Sequence, residues 1–363
     1  MSHIITQQDI TTLSQALTEP SWVLQKRLSC FDEKYASQIG DGDFSVSGAQ
    51  VSCEDAKVYH FDSALKEKKL AGLVRDYMFM RSNAIKHDTF ANVTSAAFTD
   101  GYIVMIPKSS QQSFELLISS TEEYAMTYCL VVVEDGAQVD IHETIHAPTT
   151  HSVIIEYVVA SSAQCKVVAF EGAKGNQSLY VLRQMYVHAD AKGIITQISK
   201  GDGIIHSTTN IYLLESNAHG EIYNAVRGEG RGTIELSTSI YHETEHTISN
   251  MFAREVLADM CKVSHCGNVV MLPTAKGSKG YQKQEALLLS NNVKYNPVPN
   301  LDIQTHDVQC SHGVSATRFS DISAFYCMSR GLTYEEALEL YVASFYDDAL
   351  IQLTESQRKK ILL

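Results

Sequence analysis

Positive charge is in short supply in this chain. Its 363 residues carry 29 Lys and Arg against 42 Asp and Glu, a formal net charge of -13. No cationic excess is available to neutralise phosphates, which argues against nucleic acids and anionic membranes as partners. No apolar run is long enough to span a bilayer. The first ten residues, MSHIITQQDI, lack the basic and then apolar order of a secretory signal. The expected location is the cytoplasm. Paired cysteine motifs are missing as well. Cys30, Cys53, Cys129, Cys165, Cys261, Cys266, Cys310 and Cys327 include no C-x-x-C, and the Cys261–Cys266 spacing fits no common zinc site. Thiols used this way, with no secretory signal, are expected to be free. There is also no G-x-S-x-G nucleophile elbow and no dinucleotide fingerprint.

What is present is the composition of a globular protein, 44% hydrophobic and 20% charged, long enough for one to three domains. Residues 6 to 40 read as helical, with Leu13, Leu17, Leu24 and Leu28 near helical spacing, a break at Pro20, and Trp22 packing the unit against the rest. Gly40 to Gly48 (GDGDFSVSG) is turn-rich and reads as a linker. From about residue 50 to residue 310 the period becomes two. VMIP, FELLIS, TYCLVVV, VIIEYVVA, YVLRQMYV and NIYLLES are β-branched and aromatic runs bounded by turn residues.

These runs repeat. Ala137, Ala163, Ala191 and Ala218 sit at equivalent, nearly evenly spaced turns, and a fifth copy, LADMCKVS, begins near Ala258. Even spacing of this order marks a solenoid whose coils bury their apolar faces on one another. A meandering sandwich is the alternative; regular spacing without Asn-Gly hairpin turns favours a parallel β-helix. The expected organisation is a helical region and linker over 1–48, a β-helix core over 49–319 and a helical domain over 320–363. In the last, Thr333-Tyr-Glu-Glu336 reads as a capping box. Tyr334, Leu338, Tyr341, Val342 and Phe345 then form an apolar stripe, either a partner's docking face or a surface packed on the end of the solenoid.

Three motifs imitate known chemistry. His142-Glu-Thr-Ile-His146 and His242-Glu-Thr-Glu-His246 match the H-E-x-x-H of zinc proteases, which needs a helix to bring both imidazoles to one metal. Both lie in strand-like sequence and are expected to line a β-face or turn. Thr274-Ala-Lys-Gly-Ser-Lys-Gly280 lacks the first glycine and the helix of a P-loop. The stretch Leu301 to Leu332 is more informative. It runs strand-like, concentrates Cys310, His312 and Gly313 at a bend, then turns helical up to Ser329-Arg330-Gly331. Residues two apart on a strand share a face, so a thiol and an imidazole there can act as two ligands. Spacing alone leaves a buried Cys beside a surface His as the other reading. Carboxylates on a solenoid face, as in polysaccharide lyases and hydrolases, remain the competing function.

Four blocks carry a family resemblance: EVLAD (255–259), CGNVVMLPTAKGSKGYQKQEALLLSNN (266–292), LDIQTHDVQCSHG (301–313) and AFYCMSRGLTYEEALELYVASF (324–345). In this order they resemble the SufB/SufD family of iron–sulfur cluster assembly scaffolds, and the SufD branch in particular. SufB-like members carry a cysteine just before the leucine-rich strand, where this chain has Gln284-Glu285, and a Glu after the histidine, where it has Gly313. After C-S-H-G the chain departs from the family's Ala-Thr with Val314-Ser315-Ala316-Thr317. The resemblance implies a right-handed parallel β-helix between helical ends and a non-catalytic scaffold. The implied partners are a SufC-type ABC ATPase docked around Tyr334 to Phe345, a SufB-type paralogue paired through the β-helix (or a second copy in a homodimer), and a sulfur-donor system. It also implies a transient cluster shared with the partner near His312, the metal ligand, with Cys310 beside it, and a reduced flavin in some such complexes. Imidazole and thiolate both suit iron.

Overall fold

The computed structural model describes residues 7–17, 19–31, 50–52, 57–98, 100–120, 123–146, 149–347, 349–350, 353–355 and 358. The Gly40–Gly48 linker and the latter part of the expected N-terminal helical stretch lie outside these residues. Helices α1 (Gln7–Ala16) and α2 (Ser21–Cys30) flank Pro20, which stands at the N-cap of α2, where a missing N–H costs no intrahelical bond. Trp22 is half-buried against the apolar cluster beneath these helices.

Strands β1 (Gln50–Ser52) and β2 (Lys57–His60) lead into four helices, α3 (Phe61–Lys66), α4 (Lys68–Tyr77), α5 (Ser82–His87) and α6 (Thr89–Ala97). The strand-like reading of this segment is therefore corrected. Its helical signals are local: Leu70, Leu73, Val74 and Tyr77 fall at i, i+3, i+4 and i+7. Asp88 caps α6 by accepting from the Phe90 and Ala91 N–H groups at 3.1 and 2.9 Å. Helices this short give a 3.6 period too few repeats to stand out.

From Asp100 onward strands alternate between two sheets. One holds β3 (Asp100–Ile106), β5 (Tyr124–Val133), β7 (Thr150–Val159), β9 (Ser178–Val187), β11 (Ile204–Leu213), β13 (Thr233–His242), β15 (Lys262–Met271) and β17 (Lys294–Ile303). The other holds β4 (Gln111–Ser119), β6 (Gln138–His146), β8 (Gln164–Ala173), β10 (Lys192–Gly201), β12 (His219–Gly228), β14 (Ile248–Leu257), β16 (Ser278–Leu288) and β18 (Val308–Thr317). Each pairs in parallel with the strand two positions away, so an odd–even pair makes one coil and eight coils stack into a parallel β-solenoid. β1 on β4 and β2 on β3 pair antiparallel and finish the first end.

A turn residue in the left-handed region closes each of the first seven coils between its odd and even strands. Ser109, Gly136, Ser162, Asp190, Asn217, His246 and Gly277 all have φ between 55° and 69°. All of these except Asn217 bond through N–H to the turn one coil on, Ser162 to Ala189 O at 2.9 Å and His246 to Lys276 O at 2.9 Å, which holds a conformation L-residues otherwise avoid. The repeating alanines follow these residues. Ala137, Ala163, Ala191 and Ala218 are buried, and their carbonyls accept from the N–H groups of Gln164, Lys192, His219 and Ile248 one coil on. The fifth member of that column is Thr247, because His219 stacks on Ile248; Ala258 belongs to the opposite turn, where its N–H reaches Gly228 O. The coil lengthens between Ala218 and Thr247, which disguises the true successor.

Inside the solenoid most positions are aliphatic, but a central file is polar. Arg183 bonds to Glu143 through Nη2 and Nε, to Glu171 Oε1 at 3.0 Å and to Thr209 Oγ1 at 3.2 Å, with all four residues fully buried or nearly so. Tyr157 donates to Glu143 at 2.5 Å, while Gln197, Ser199 and Ser207 donate to Glu171, each at 3.0 Å. Burial raises the Glu171 carboxyl above the usual range despite the Arg183 charge beside it. On the outside, α1–α6 pack against the odd sheet over Tyr128, Leu130, Ile154, Leu182, Tyr186 and Tyr212. Glu156 pins them there by accepting from the Phe79 N–H at 2.7 Å and from the Tyr128 and Tyr186 hydroxyls.

Helices α7 (Asp321–Met328) and α8 (Tyr334–Tyr346) end the described fold. The Thr333–Glu336 capping box forms in both directions. α8 lies along the side of the even sheet, not on the solenoid's end. Val342 and Tyr346 pack on Val168, Ile198, Ala225, Val256 and Leu287, one from each of five successive even strands. The Tyr346 hydroxyl donates to Val226 O at 2.5 Å.

Candidate functional site

The last coil leaves one edge of β17 and one edge of β18 unpaired among the described residues, and Cys310 and His312 lie on that edge. The bend expected at Cys310–Gly313 falls earlier, at Gln304–Asp307, and both candidate ligands sit in straight strand. Stacking partners define which way they point. Cys310 stacks on Gly280 and His312 on Gln282, and both partners are buried positions of the even sheet's inner face. The pair therefore stands over the solenoid's open mouth, with Val314 and Ala316 farther along.

The column under Cys310 is built of small residues: Gly193, Gly220, Ser249 and Gly280. A Cβ on Gly280 would come within 2.7 Å of Val269 and 2.8 Å of Met271 from the odd sheet, so no side chain fits there. Cys165 lies below Gly193 in the same column but is sealed inside the solenoid, so Cys310 is the thiol this column presents at the mouth. That thiol is half-buried and burial raises its pKa, although the Gly280 backbone works the other way. It is thus not a ready nucleophile at neutral pH. It becomes a thiolate only where a cation or metal stabilises the charge. His312 is exposed. Together they offer one sulfur and one nitrogen donor, and among the described residues no group of three or more His, Cys, Asp or Glu could hold a metal. The site has two donors and an open side.

The five residues of the C-terminal stripe do not share one fate. Val342 is buried, and Leu338, Tyr341 and Phe345 pack partly buried against the solenoid. Phe345 also lies under the Arg254 guanidinium at 5.3 Å. Tyr334 is about half exposed. The apolar surface left open is carried by residues that the helical period does not single out: Ile322 at 83% exposed, Phe325 at 72%, with Tyr326, Met328 and Leu340 around them. A short α7 that is apolar all round was the available signal.

The two H-E-x-x-H sequences lie where the strand reading puts them. His142 and His146 are on β6, four extended positions and roughly 13 Å apart, too far for one metal. His242 ends β13, fully buried, bonded through Nδ1 to Thr247 Oγ1 and through Nε2 to Ser249 Oγ, both at 2.7 Å. Burial lowers its pKa from 6.5 to about 3. The unfolded chain therefore binds a proton before the folded one, and stability falls as pH drops from about 6.5 toward 3. Urea unfolding across that range is expected to show a declining midpoint, with a flatter profile in His242→Asn; equal profiles would refute the assignment.

A groove of about 930 Å³ on the outer even face is lined by Phe170, Ile198, Lys174, Lys200, Asp202, Glu229 and Asp259. Its aspartates have structural duties: Asp202 accepts from Gly175 N–H at 2.9 Å and Asp259 from Gly230 N–H at 2.8 Å.

The described fold is thus a parallel solenoid with helical flanks, a thiol and an imidazole at its open end and an uncovered apolar helix beside it. The SUF system FeS cluster assembly, SufBD core domain family matches residues 116–345, and the chain belongs to that family. It is 25% identical to an iron–sulfur cluster assembly SufBD family protein of Synechocystis sp. over 281 residues, covering 73% of this chain and 58% of the relative. A SufBD family protein of Pyropia yezoensis gives the same identity and coverage. One from Staphylococcus epidermidis is 24% identical over 298 residues, 79% of this chain and 63% of the relative. The chain thus spans about three-fifths of the length of these relatives. No described helix is long and apolar enough to cross a membrane.

Proposed function

We propose that this protein is a SufD-like, non-catalytic scaffold subunit in iron–sulfur cluster assembly, with His312 and Cys310 forming half of a nascent-cluster site. The observation that carries the reading is a two-donor pair over an unpaired strand edge. A SufB-type paralogue, or a second copy of this chain, adds strands to the open edges of β17 and β18 and brings the remaining ligands. The SufD branch is supported by Gln284, which stands buried where SufB-like members carry a thiol. A SufC-type ATPase docks on the uncovered face of α7 and α8, and hydrolysis belongs to that partner. Ile322, Phe325, Tyr326, Tyr334 and Leu340 are the better contacts; Leu338, Tyr341, Val342 and Phe345 support the helix from beneath.

Phe325→Asp is expected to lose the ATPase partner in co-purification while leaving thermal stability nearly unchanged, as suits an exposed position. Unchanged co-purification would sink the docking assignment. The reading as a whole is tested by anaerobic co-purification from the native host with iron and sulfide analysis, where partners and both elements are expected together. The polysaccharide reading draws on the charged groove midway along the coils. It requires turnover of a polysaccharide by the isolated chain, which a lyase or hydrolase assay decides.

A further inference from the structure

We propose that Gln282 is a positioning residue for His312, its side-chain amide accepting one ring N–H of the imidazole and leaving the other nitrogen to face the metal. The inference rests on His312 as a ligand and adds the group that orients it. Gln282 and His312 are register partners on adjacent strands, which lie about 4.8 Å apart, and both occupy the inward side. Gln282 is 4% exposed, and neither of its amide atoms has a hydrogen-bond partner among the described residues. Buried amides are nearly always paired, so such an exception needs a reason. The coil beneath offers none, because the register partner there is the apolar Met251. Across the solenoid stands Gly267, where any side chain would collide with the amides of Gln282 and Gln284. The missing Cβ makes room for the two glutamines but supplies no group to satisfy Gln282.

The neighbouring Gln284 also has an unpartnered Oε1, and no bond joins the two amides; the acceptor Gln282 Oε1 finds its donor outward, on β18. Turning the exposed His312 ring over the mouth sets a ring N–H against Gln282 Oε1. A histidine that binds a metal through one nitrogen needs an acceptor on the other, which fixes both tautomer and ring orientation. A neutral amide does this without adding charge to the site.

The test is 15N NMR of the intact chain with labelled histidines, comparing wild type, Gln282→Met and Gln282→Asn. Met removes the acceptor; Asn keeps an amide one methylene short and serves if Met disturbs folding. Wild-type His312 is expected to hold a single neutral tautomer and both variants a mixture, while Gln282→Glu, which retains an acceptor at full length, restores one form. In the reconstituted complex, cluster yield should fall about tenfold with Met. A mixed tautomer in wild type, or the same single tautomer in folded Met or Asn variants, overturns the proposal. The two readings fail separately. Normal clusters with His312→Ala would remove the ligand role while leaving the tautomer result standing. An unchanged tautomer with a dead His312→Ala would remove Gln282 alone.

Discussion

Reconstituted with its partners, the His312→Ala chain is expected to fold, assemble and form no cluster. Folding should survive because His312 is exposed on an edge strand, and surface substitutions there shift stability by about 0.5 kcal/mol or less. Assembly should survive because strand addition uses backbone groups of β17 and β18, which the substitution leaves in place. Cluster formation should not, because the proposed half-site then keeps one of its two donors. The remaining thiol cannot compensate. Burial raises its pKa, so Cys310 depends on a neighbouring cation or metal to ionise. The measurement is cluster absorbance together with iron and sulfide per complex. Wild-type yield from His312→Ala would refute the ligand assignment.

Arg183→Met should unfold the protein far more readily, by about 3–5 kcal/mol, the cost of leaving buried charges without their partner. Arg183 lies between Glu143 and Glu171 inside the solenoid, and all three are excluded from water. With the guanidinium gone, both carboxylates must take protons or stay charged in an apolar interior. Replacing the whole cluster with apolar residues of similar volume should cost much less, since no charge is then stranded. Denaturant titration distinguishes the two: Arg183→Met lowers the midpoint with the slope unchanged, and the triple substitution recovers most of it. A loss below about 1 kcal/mol for Arg183→Met would mean that water reaches the cluster.

The solenoid was legible because its signal is repetitive. A period-two pattern renewed in every coil survives any local exception. The first failure came in the segment of α3–α6, where short helices lie between strands and the 3.6 period never accumulates. The second was the fifth repeat, assigned to Ala258 because the column passes from alanine to Thr247 as the coil lengthens. That Cys310 and His312 share one face of a strand was legible from alternation, as was the strand-and-turn placement of the two H-E-x-x-H decoys. What lies beneath them was not. Gln282, Gly280 and Gly267 acquire meaning only from registers between strands a full coil apart along the chain, which no local pattern encodes. The C-terminal stripe shows the same limit from the other side. Periodicity identified an apolar face correctly, but it could not say that the even sheet already covers most of it.

The central claim is that the Cys310–His312 end is half of a site. It is tested most directly by measuring iron and acid-labile sulfide bound after anaerobic reconstitution, first with the chain alone and then with a SufB-type partner added. The account predicts essentially no cluster on the isolated chain and a cluster in the mixed assembly that His312→Ala removes. Equal loading of the chain without any partner would contradict it.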